Sequence, residues 1–104
     1  MLLLVGACAE TLPDRIALTP GGEPVEVVTE KPNPDLYVPL GEVTGVAQGA
    51  DKETATTQAK NDLRNNASAR GGTVVTVDSL DAKLEWQGRK TLVRLTGTAY
   101  KPKE

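Results

Sequence analysis

The clearest pattern in the chain is an apolar stripe with a helical period near its middle. The stripe recurs every four residues: Ala55, Ala59, Leu63 and Ala67. Asp51 is a favourable N-cap residue just before it, and Gly71 with Gly72 supplies a C-cap just after it. The pattern therefore predicts one amphipathic helix from Asp51 to about Arg70, whose mostly small apolar face approaches a sheet closely.

Patterns typical of strands flank this helix. Before the helix, apolar and polar residues alternate over residues 40–46, and Gly45 within them indicates a bulge or a close backbone approach. Residues 73–77 form a β-branched run after it, and residues 80–87 and 90–100 read as a hairpin around Gly88. In the second hairpin strand, alternation predicts that three apolar residues face the helix: Val93, Leu95 and Ala99. The predicted class is α+β, with one main helix packed on a mostly antiparallel sheet of about four strands in a β-α-β-β core.

The N-terminal third is rich in proline, which excludes a continuous helix or a central strand there. Six of the seven prolines fall in residues 9–39: Pro13, Pro20, Pro24, Pro32, Pro34 and Pro39. Residues 25–29 still predict a short edge strand, and residues 16–18 are a candidate for a second one. We therefore interpret 9–35 as a proline-rich linker with short edge strands, 36–101 as the α+β domain and 102–104 as a tail.

The first eight residues are an apolar run that ends in Gly6, Ala7 and Cys8. This run resembles the bacterial lipobox, in which small residues precede a cysteine that receives a diacylglyceryl group. We expect Cys8 to be acylated and the chain to be held on a membrane, because acyl chains anchor proteins strongly. Residues 1–8 would then be a truncated signal segment, with the true start upstream of Met1. The alternative is that Cys8 is a small core residue next to a short buried strand.

The resemblance to the lipobox also implies a location. An aspartate after the acylated cysteine commonly retains lipoproteins in the inner membrane, whereas Ala9 follows Cys8 here. We therefore expect the outer membrane of the bacterial envelope, with the domain facing the periplasm. The apolar run is too short to be a transmembrane helix, which needs roughly twenty apolar residues.

Composition narrows the functional classes. Hydrophobic residues make up 38% of the 104, with no Phe, so the core must consist of Val, Leu and Ala and will be thin. The formal net charge is −2 with charges interspersed, and aromatic residues are few. Neither a basic patch nor stacking platforms are available, so we expect no nucleic-acid partner.

Several side chains that catalytic and metal sites commonly use are missing from the sequence, and nothing pairs the Lys and carboxylate bases that are present with a nucleophile. The chain has no His, and its single Cys is the predicted acylation site. We therefore expect no metal site and no cofactor, and interpret Asp78, Asp81 and Glu85 as a solvated strand face. Ser68 and Ser79 have no histidine to act as their base. The expectation is a protein that is not an enzyme.

Three residues are candidates for contacting a partner protein. Trp86 is the only large aromatic residue near a turn, and its alternative role is to cover one end of the core. Arg64 and Asn65 give the helix end a polar patch, whose alternative is an ordinary solvated helix face.

Several short motifs together resemble known bacterial families. They are the LGEVTG segment at 40–45, the DLRNNA segment at 62–67 that leads through two glycines into Val74 and Val75, and the closing LTGTAY segment at 95–100. The set is similar to a family of small bacterial lipoproteins of unknown function. It is related more loosely to the Rcs-type stress-sensor lipoproteins and to the YbjQ-like family, which is labelled as heavy-metal binding. The resemblance covers about residues 36–101.

This resemblance implies a β-α-β-β domain exposed to the periplasm and, from the YbjQ-like side, ring-shaped homo-oligomers. It supplies no catalytic residues. Two features of the chain depart from the pattern: the paired cysteines of the Rcs-type sensors are missing, and Gly71-Gly72-Thr73 replaces the usual Gly-Ala-Asn.

Two functional hypotheses follow. The preferred one is a membrane-anchored envelope lipoprotein that works through contact with an envelope protein in envelope maintenance or stress sensing. The alternative is a self-assembling structural module of YbjQ-like type without a lipid anchor. No feature of the sequence supports a third class, a carrier of a small apolar ligand.

Overall fold

The structure is a computed structural model that describes residues 15–85 and 90–103. Within these residues the elements, in chain order, are β1 (Glu26–Val28), β2 (Tyr37–Gly49), α1 (Lys52–Ala69), β3 (Val74–Thr76), β4 (Ser79–Glu85) and β5 (Lys90–Pro102). The predicted α+β class is confirmed, because one helix packs on a five-stranded, mostly antiparallel sheet.

Strand β5 is the centre of the sheet. Strand β2 pairs antiparallel with one edge of it, from Tyr37 opposite Pro102 to Gly49 opposite Thr91. Strands β3 and β4 follow one another along the other edge of β5, both antiparallel to it. Strand β1 pairs in parallel with β3 and is an edge strand, as predicted. Strands β2 and β1 therefore lie at opposite sides of the sheet.

The helix ends are formed by local signals. The Asp51 carboxylate accepts a 2.7 Å hydrogen bond from the backbone N–H of Thr54, which satisfies an N–H that the first helical turn leaves free. At the other end Gly71 adopts a φ of +85°, and the N–H of Gly72 donates to the carbonyl of Ala67 over 2.8 Å. This left-handed glycine ends the helix, as the sequence predicts.

Helix α1 packs very closely on β2, because most residues at this contact have small side chains or none. All four residues of the predicted helix stripe are fully buried. A Cβ atom added at Gly45 would lie 2.3 Å from the carbonyl oxygen of Ala59, and one at Gly49 would lie 2.7 Å from the N of Ala55. Of the two interpretations of Gly45, the close backbone approach is therefore confirmed. The irregularity in β2 falls instead between Pro39 and Gly41.

A bulge separates β3 from β4. Three residues on this side, 76–78, face two on β5, Gly97 and Thr98. The Asp78 carboxylate accepts hydrogen bonds from the hydroxyls of Thr76 and Thr98, each 3.0 Å long. The bulge brings the backbone of Thr76 onto Gly97, where an added Cβ would lie 1.7 Å from its carbonyl oxygen.

The segment before β1 crosses the outer side of the helix. Residues 16–18 belong to no strand, so the interpretation of this segment as a second edge strand is wrong. Their backbone is bound by helix side chains instead: Asn61 donates to the carbonyl of Ile16 over 2.8 Å, and Asn65 donates to that of Ala17 over 3.0 Å. Two helix amides thus take the place of a neighbouring strand.

The sheet has a covered face and an open face. Val93, Leu95 and Ala99 are fully buried under α1, which confirms the predicted orientation of β5. The alternate residues, such as Arg94 and Thr96, lie on the other face. No helix covers that face within residues 15–85 and 90–103.

Candidate functional site

A groove of about 560 Å³ runs along β1 toward the segment that follows it. A second hollow of about 420 Å³ adjoins it and shares Lys31, Pro32 and Tyr37 with it. We call the two together the tyrosine groove. It is lined by residues of β1, of the loop after β1 and of three other strands, chiefly Val28, Lys31, Pro32, Tyr37, Val74 and Tyr100.

The sheet register brings both tyrosines of the chain to this groove. Tyr37 is the first residue of β2, and Tyr100 lies near the end of β5. Because β2 and β5 are antiparallel, the start of one meets the end of the other, and Pro39 lies opposite Tyr100. Tyr100 also lies opposite Val74 on its other side and is only 9% exposed, whereas Tyr37 is half-buried. The groove thus has an aromatic floor.

Hydrogen bonds hold the loop that forms the wall of the groove at its end next to β2. The Asn33 carbonyl accepts hydrogen bonds from the N–H groups of Leu36 and Tyr37, 2.9 and 3.0 Å long, and its side chain accepts one from Asp35. The carbonyl of Leu36 accepts a 2.8 Å hydrogen bond from the N–H of Lys103, just after β5. The end of the loop is therefore tied both to the start of β2 and to the chain just after β5.

The groove has an apolar floor and a charged rim. Glu26, Glu30 and Lys31 are exposed around it, while Val28 is half-buried and Val74 is buried. Strand β1 pairs with β3 on one side and with no other strand of the described residues. An extended segment could hydrogen-bond to such an edge while its side chains occupy the groove.

Two of the predicted site residues, Cys8 and Trp86, lie outside the described residues. Acylation of Cys8 and partner contact through Trp86 stay predictions.

The other two predicted contacts, Arg64 and Asn65, lie side by side on α1 against the chain's own N-terminal segment. Arg64 donates from Nη2 to the carbonyl of Glu23, and Asn65 Oδ1 accepts a 2.9 Å hydrogen bond from the N–H of Thr19. Arg64 also lines a second groove, of about 580 Å³, between β1 and α1. Its Nε atom is buried and has no hydrogen-bond partner in the described part of the chain. Contact of Arg64 and Asn65 with a partner protein stays a prediction.

Sequence reasoning did not identify Tyr37 and Tyr100 as site residues. They are the only tyrosines of the chain and stand at the start of one long strand and the end of another. That placement is a usable signal, because pairing these two strands antiparallel brings the tyrosines to the same end of the sheet.

The described residues contain neither a cluster of metal-ligating side chains nor a helix suited to cross a membrane. No group of three or more His, Cys, Asp or Glu side chains is arranged there to hold a metal ion. In the same residues no helix is long and apolar enough to cross a membrane.

The fold and the groove define the class of this protein as a one-helix α+β domain with a hollow on the open face of its sheet. The chain belongs to the family described as Domain of unknown function (DUF4156), whose family model matches residues 16–101. The match begins at Ile16, so it includes the segment that crosses α1 and strand β1. No curated protein matches the chain. The relation to Rcs-type stress sensors stays a prediction.

Proposed function

We propose that this chain is a membrane-anchored lipoprotein of the bacterial envelope whose domain binds an extended segment of a partner protein in the tyrosine groove. The domain acts by contact and performs no catalysis. Its role is envelope maintenance or stress sensing, and the anchor is the acylated Cys8.

The observation that carries the proposal is the convergence of Tyr37, Tyr100 and Pro32 beside the edge of β1. Backbone groups at a strand edge give affinity for any extended chain, and neighbouring pockets give specificity by accepting alternate side chains. Aromatic residues contribute most at such contacts, because they bury a large area with few rotatable bonds. The exposed charges of Glu26, Glu30 and Lys31 surround this apolar centre as the rim of an interface does.

Three further points support the anchor, the location and the absence of catalysis. The lipobox-like run that ends at Cys8, followed by Ala9, favours an outer-membrane lipoprotein that faces the periplasm. The chain contains no histidine. The charged groups of the groove are exposed at its rim, where solvent screens them, and are not desolvated as catalytic acids and bases commonly are.

In-cell photo-crosslinking tests the binding proposal. A crosslinking amino acid at Lys31 should capture a reproducible envelope protein, and the same group at Glu53, exposed on α1, should not. Tyr37→Ala and Val28→Glu should each abolish capture, because they remove the aromatic contact or place a charge on the apolar floor. Equal capture from positions 31 and 53 would contradict a specific groove.

Mass spectrometry of the protein recovered from bacterial membranes tests the anchor separately. We expect a mass that matches cleavage before Cys8 plus a diacylglyceryl or triacyl addition, and we expect Cys8→Ser to abolish it. An unmodified chain in the soluble fraction would contradict the anchor and favour the second candidate, a self-assembling module without lipid. That candidate is supported by the exposed Leu80 and Leu84 of β4, which are 43% and 68% exposed.

A further inference from the structure

The two sides of the sheet differ in how their strand edges are protected. Helix side chains bind the outer edge of β2: Asp62 accepts from the N–H of Val46, and Asn66 donates to the carbonyl of Thr44. Strand β4, in contrast, pairs with β5 on one side and with no other strand of residues 15–85 and 90–103. A seven-residue edge strand of this kind is a template for another chain.

An apolar stripe runs along β4 on the face that α1 covers elsewhere. Leu80 and Ala82 lie opposite Leu95 and Val93, which are two of the buried residues of β5, and Leu84 continues the same row. The helix packs on β2 and β5, which leaves Leu80 and Leu84 largely exposed. A strand edge and an apolar row thus lie on the same element. An added strand with apolar residues on the same face would cover both.

We propose that β4 pairs antiparallel with β4 of a second copy of this chain, about a two-fold axis that passes at Ala82. In this register Leu80 lies opposite Leu84 of the other copy, and the two Ala82 residues face each other. On the open face Asp81 lies opposite Lys83 of the other copy, and by symmetry this pair occurs twice. Opposite charges directly across a strand pair stabilise it.

The charges also select this register over its neighbours. Residues directly opposite each other in an antiparallel pair have their side chains on the same face of the sheet. Only registers that differ by two residues therefore keep the apolar rows of the two copies on the same face. If the axis moves by one residue to Asp81, Asp81 lies opposite Asp81 of the other copy. If it moves by one residue to Lys83, Lys83 lies opposite Lys83 of the other copy. Both arrangements bring like charges together, which destabilises them. The sequence of β4 is therefore complementary to itself in one register only among these three.

Strand β5 strengthens this arrangement. Asp81 already lies opposite Arg94 of its own chain, and both line a small hollow on the open face. In the dimer each Asp81 carboxylate therefore stands between Arg94 on one side and Lys83 of the other copy on the other. A row of alternating charge then crosses the dimer interface on the open face.

Two single charge reversals and their mixture test the proposal by analytical ultracentrifugation. The unaltered chain should dimerise. Lys83→Asp alone places two carboxylate pairs across the interface, and Asp81→Lys alone places two ammonium pairs there. Each should weaken the dimer by roughly 100-fold, since like charges brought together at an interface disfavour binding by several kcal/mol. Mixed in equal amounts, the two variants should form a heterodimer, because every facing pair is again opposite in charge.

Glu42→Lys and Lys101→Asp make the same charge changes on exposed residues away from β4 and should leave the dimer unchanged. Circular dichroism checks that each variant is folded. If Asp81→Lys fails to fold beside Arg94, Asp81→Ala replaces it, and Lys83→Asp still tests the register alone. A chain that stays monomeric at about 1 mM would overturn the proposal. So would a dimer that resists both reversals. The tyrosine groove lies on other strands, so neither result bears on partner binding there.

Discussion

The carboxylate of Asp62 accepts a 2.9 Å hydrogen bond from the backbone N–H of Val46, sixteen residues earlier in the chain. One and two helical turns further, Asn66 donates to the carbonyl of Thr44 over 2.6 Å and Arg70 donates to that of Leu40 over 3.3 Å. These three side chains occupy the place of a neighbouring strand. The helix therefore covers one face of the sheet and also protects the edge of β2 from pairing with other chains.

Replacing Asp62 tests this edge protection. Asp62→Ala leaves the N–H of Val46 without its acceptor, and we expect the free energy of unfolding to fall by about 1–2 kcal/mol. Asp62→Asn retains an acceptor oxygen and should cost about half as much or less. Urea denaturation measures both, with Lys60→Ala at an exposed position in the middle of the helix as the control. An Asp62→Ala variant as stable as the unaltered chain would show that the hydrogen bond contributes little.

The bulge at β3 and β4 predicts a strict requirement for glycine at position 97. An alanine Cβ there would lie 1.7 Å from the carbonyl oxygen of Thr76, so the strands must move apart. We expect Gly97→Ala to destabilise the domain by at least about 3 kcal/mol. Gly71→Ala meets no atom within 4 Å and suffers only from its positive φ, so it should cost about 1–2 kcal/mol. Thermal unfolding of both variants separates steric exclusion from backbone strain, and the reverse order would contradict the packing described.

The core is thin, so a single leucine should matter greatly. Leu63 is fully buried between α1 and the sheet, and we expect Leu63→Ala to cost about 3–4 kcal/mol through lost burial and a new cavity. Leu36→Ala removes the same atoms from a side chain that is 58% exposed and should change stability by less than about 0.5 kcal/mol. Chemical denaturation of the pair provides the comparison. Similar effects of the two substitutions would place the core elsewhere.

The helix N-cap predicts a pH dependence. The hydrogen bond from the Thr54 backbone lowers the pKa of Asp51 below its ordinary value of 3.8. A carboxyl whose pKa is lower in the folded than in the unfolded state stabilises the fold above the unfolded pKa. This stabilisation is lost as the pH falls through the folded pKa. We therefore expect the Tm of the unaltered chain to exceed that of Asp51→Ser at pH 7, because serine caps the helix without a charge.

The difference should shrink below about pH 4 and vanish under more acidic conditions, as followed by circular dichroism. A Tm difference that stays constant down to pH 2 would show that Asp51 acts without its charge.

The segment that crosses the helix should loosen when Asn65 is removed. Asn65 binds the carbonyl of Ala17 and the N–H of Thr19, so Asn65→Ala leaves both groups without these partners. Hydrogen exchange followed by mass spectrometry should show faster exchange in peptides that cover residues 15–24, with little change in β5. Lys60→Ala, at an exposed position of the same helix, is the matched control. Unchanged exchange in residues 15–24 would mean that other contacts hold the segment.

Local patterns were sufficient for the helix and for most of the strands. The apolar period, the cap at Asp51 and the two glycines at 71–72 act within a few residues of one another, so they are visible in the sequence. Alternation likewise predicted which side of β5 faces the helix. The prediction of a strand at residues 16–18 was wrong because it used only this local pattern. The amides of Asn61 and Asn65, from a distant part of the chain, bind the backbone of this segment instead.

The tyrosine groove was beyond such reasoning. Tyr37 and Tyr100 are far apart in the chain and meet only through the antiparallel register of β2 with β5. The wall of the groove depends in addition on a hydrogen bond between Leu36 and Lys103, which no local pattern announces. Arg64 and Asn65 drew attention as a polar patch, and the structure places them against residues 19–23 of the same chain.

By itself the sequence determined which elements form and which side of each is apolar, because both depend on the period of apolar positions and on caps a few residues away. It also determined which side-chain types are available for chemistry, including the absence of histidine. Only the tertiary structure decided which strand edges are covered, where the glycines admit close contact and which side chains share a groove. Those outcomes depend on the register between distant segments, where a shift of one residue turns each side chain of a strand to the opposite face.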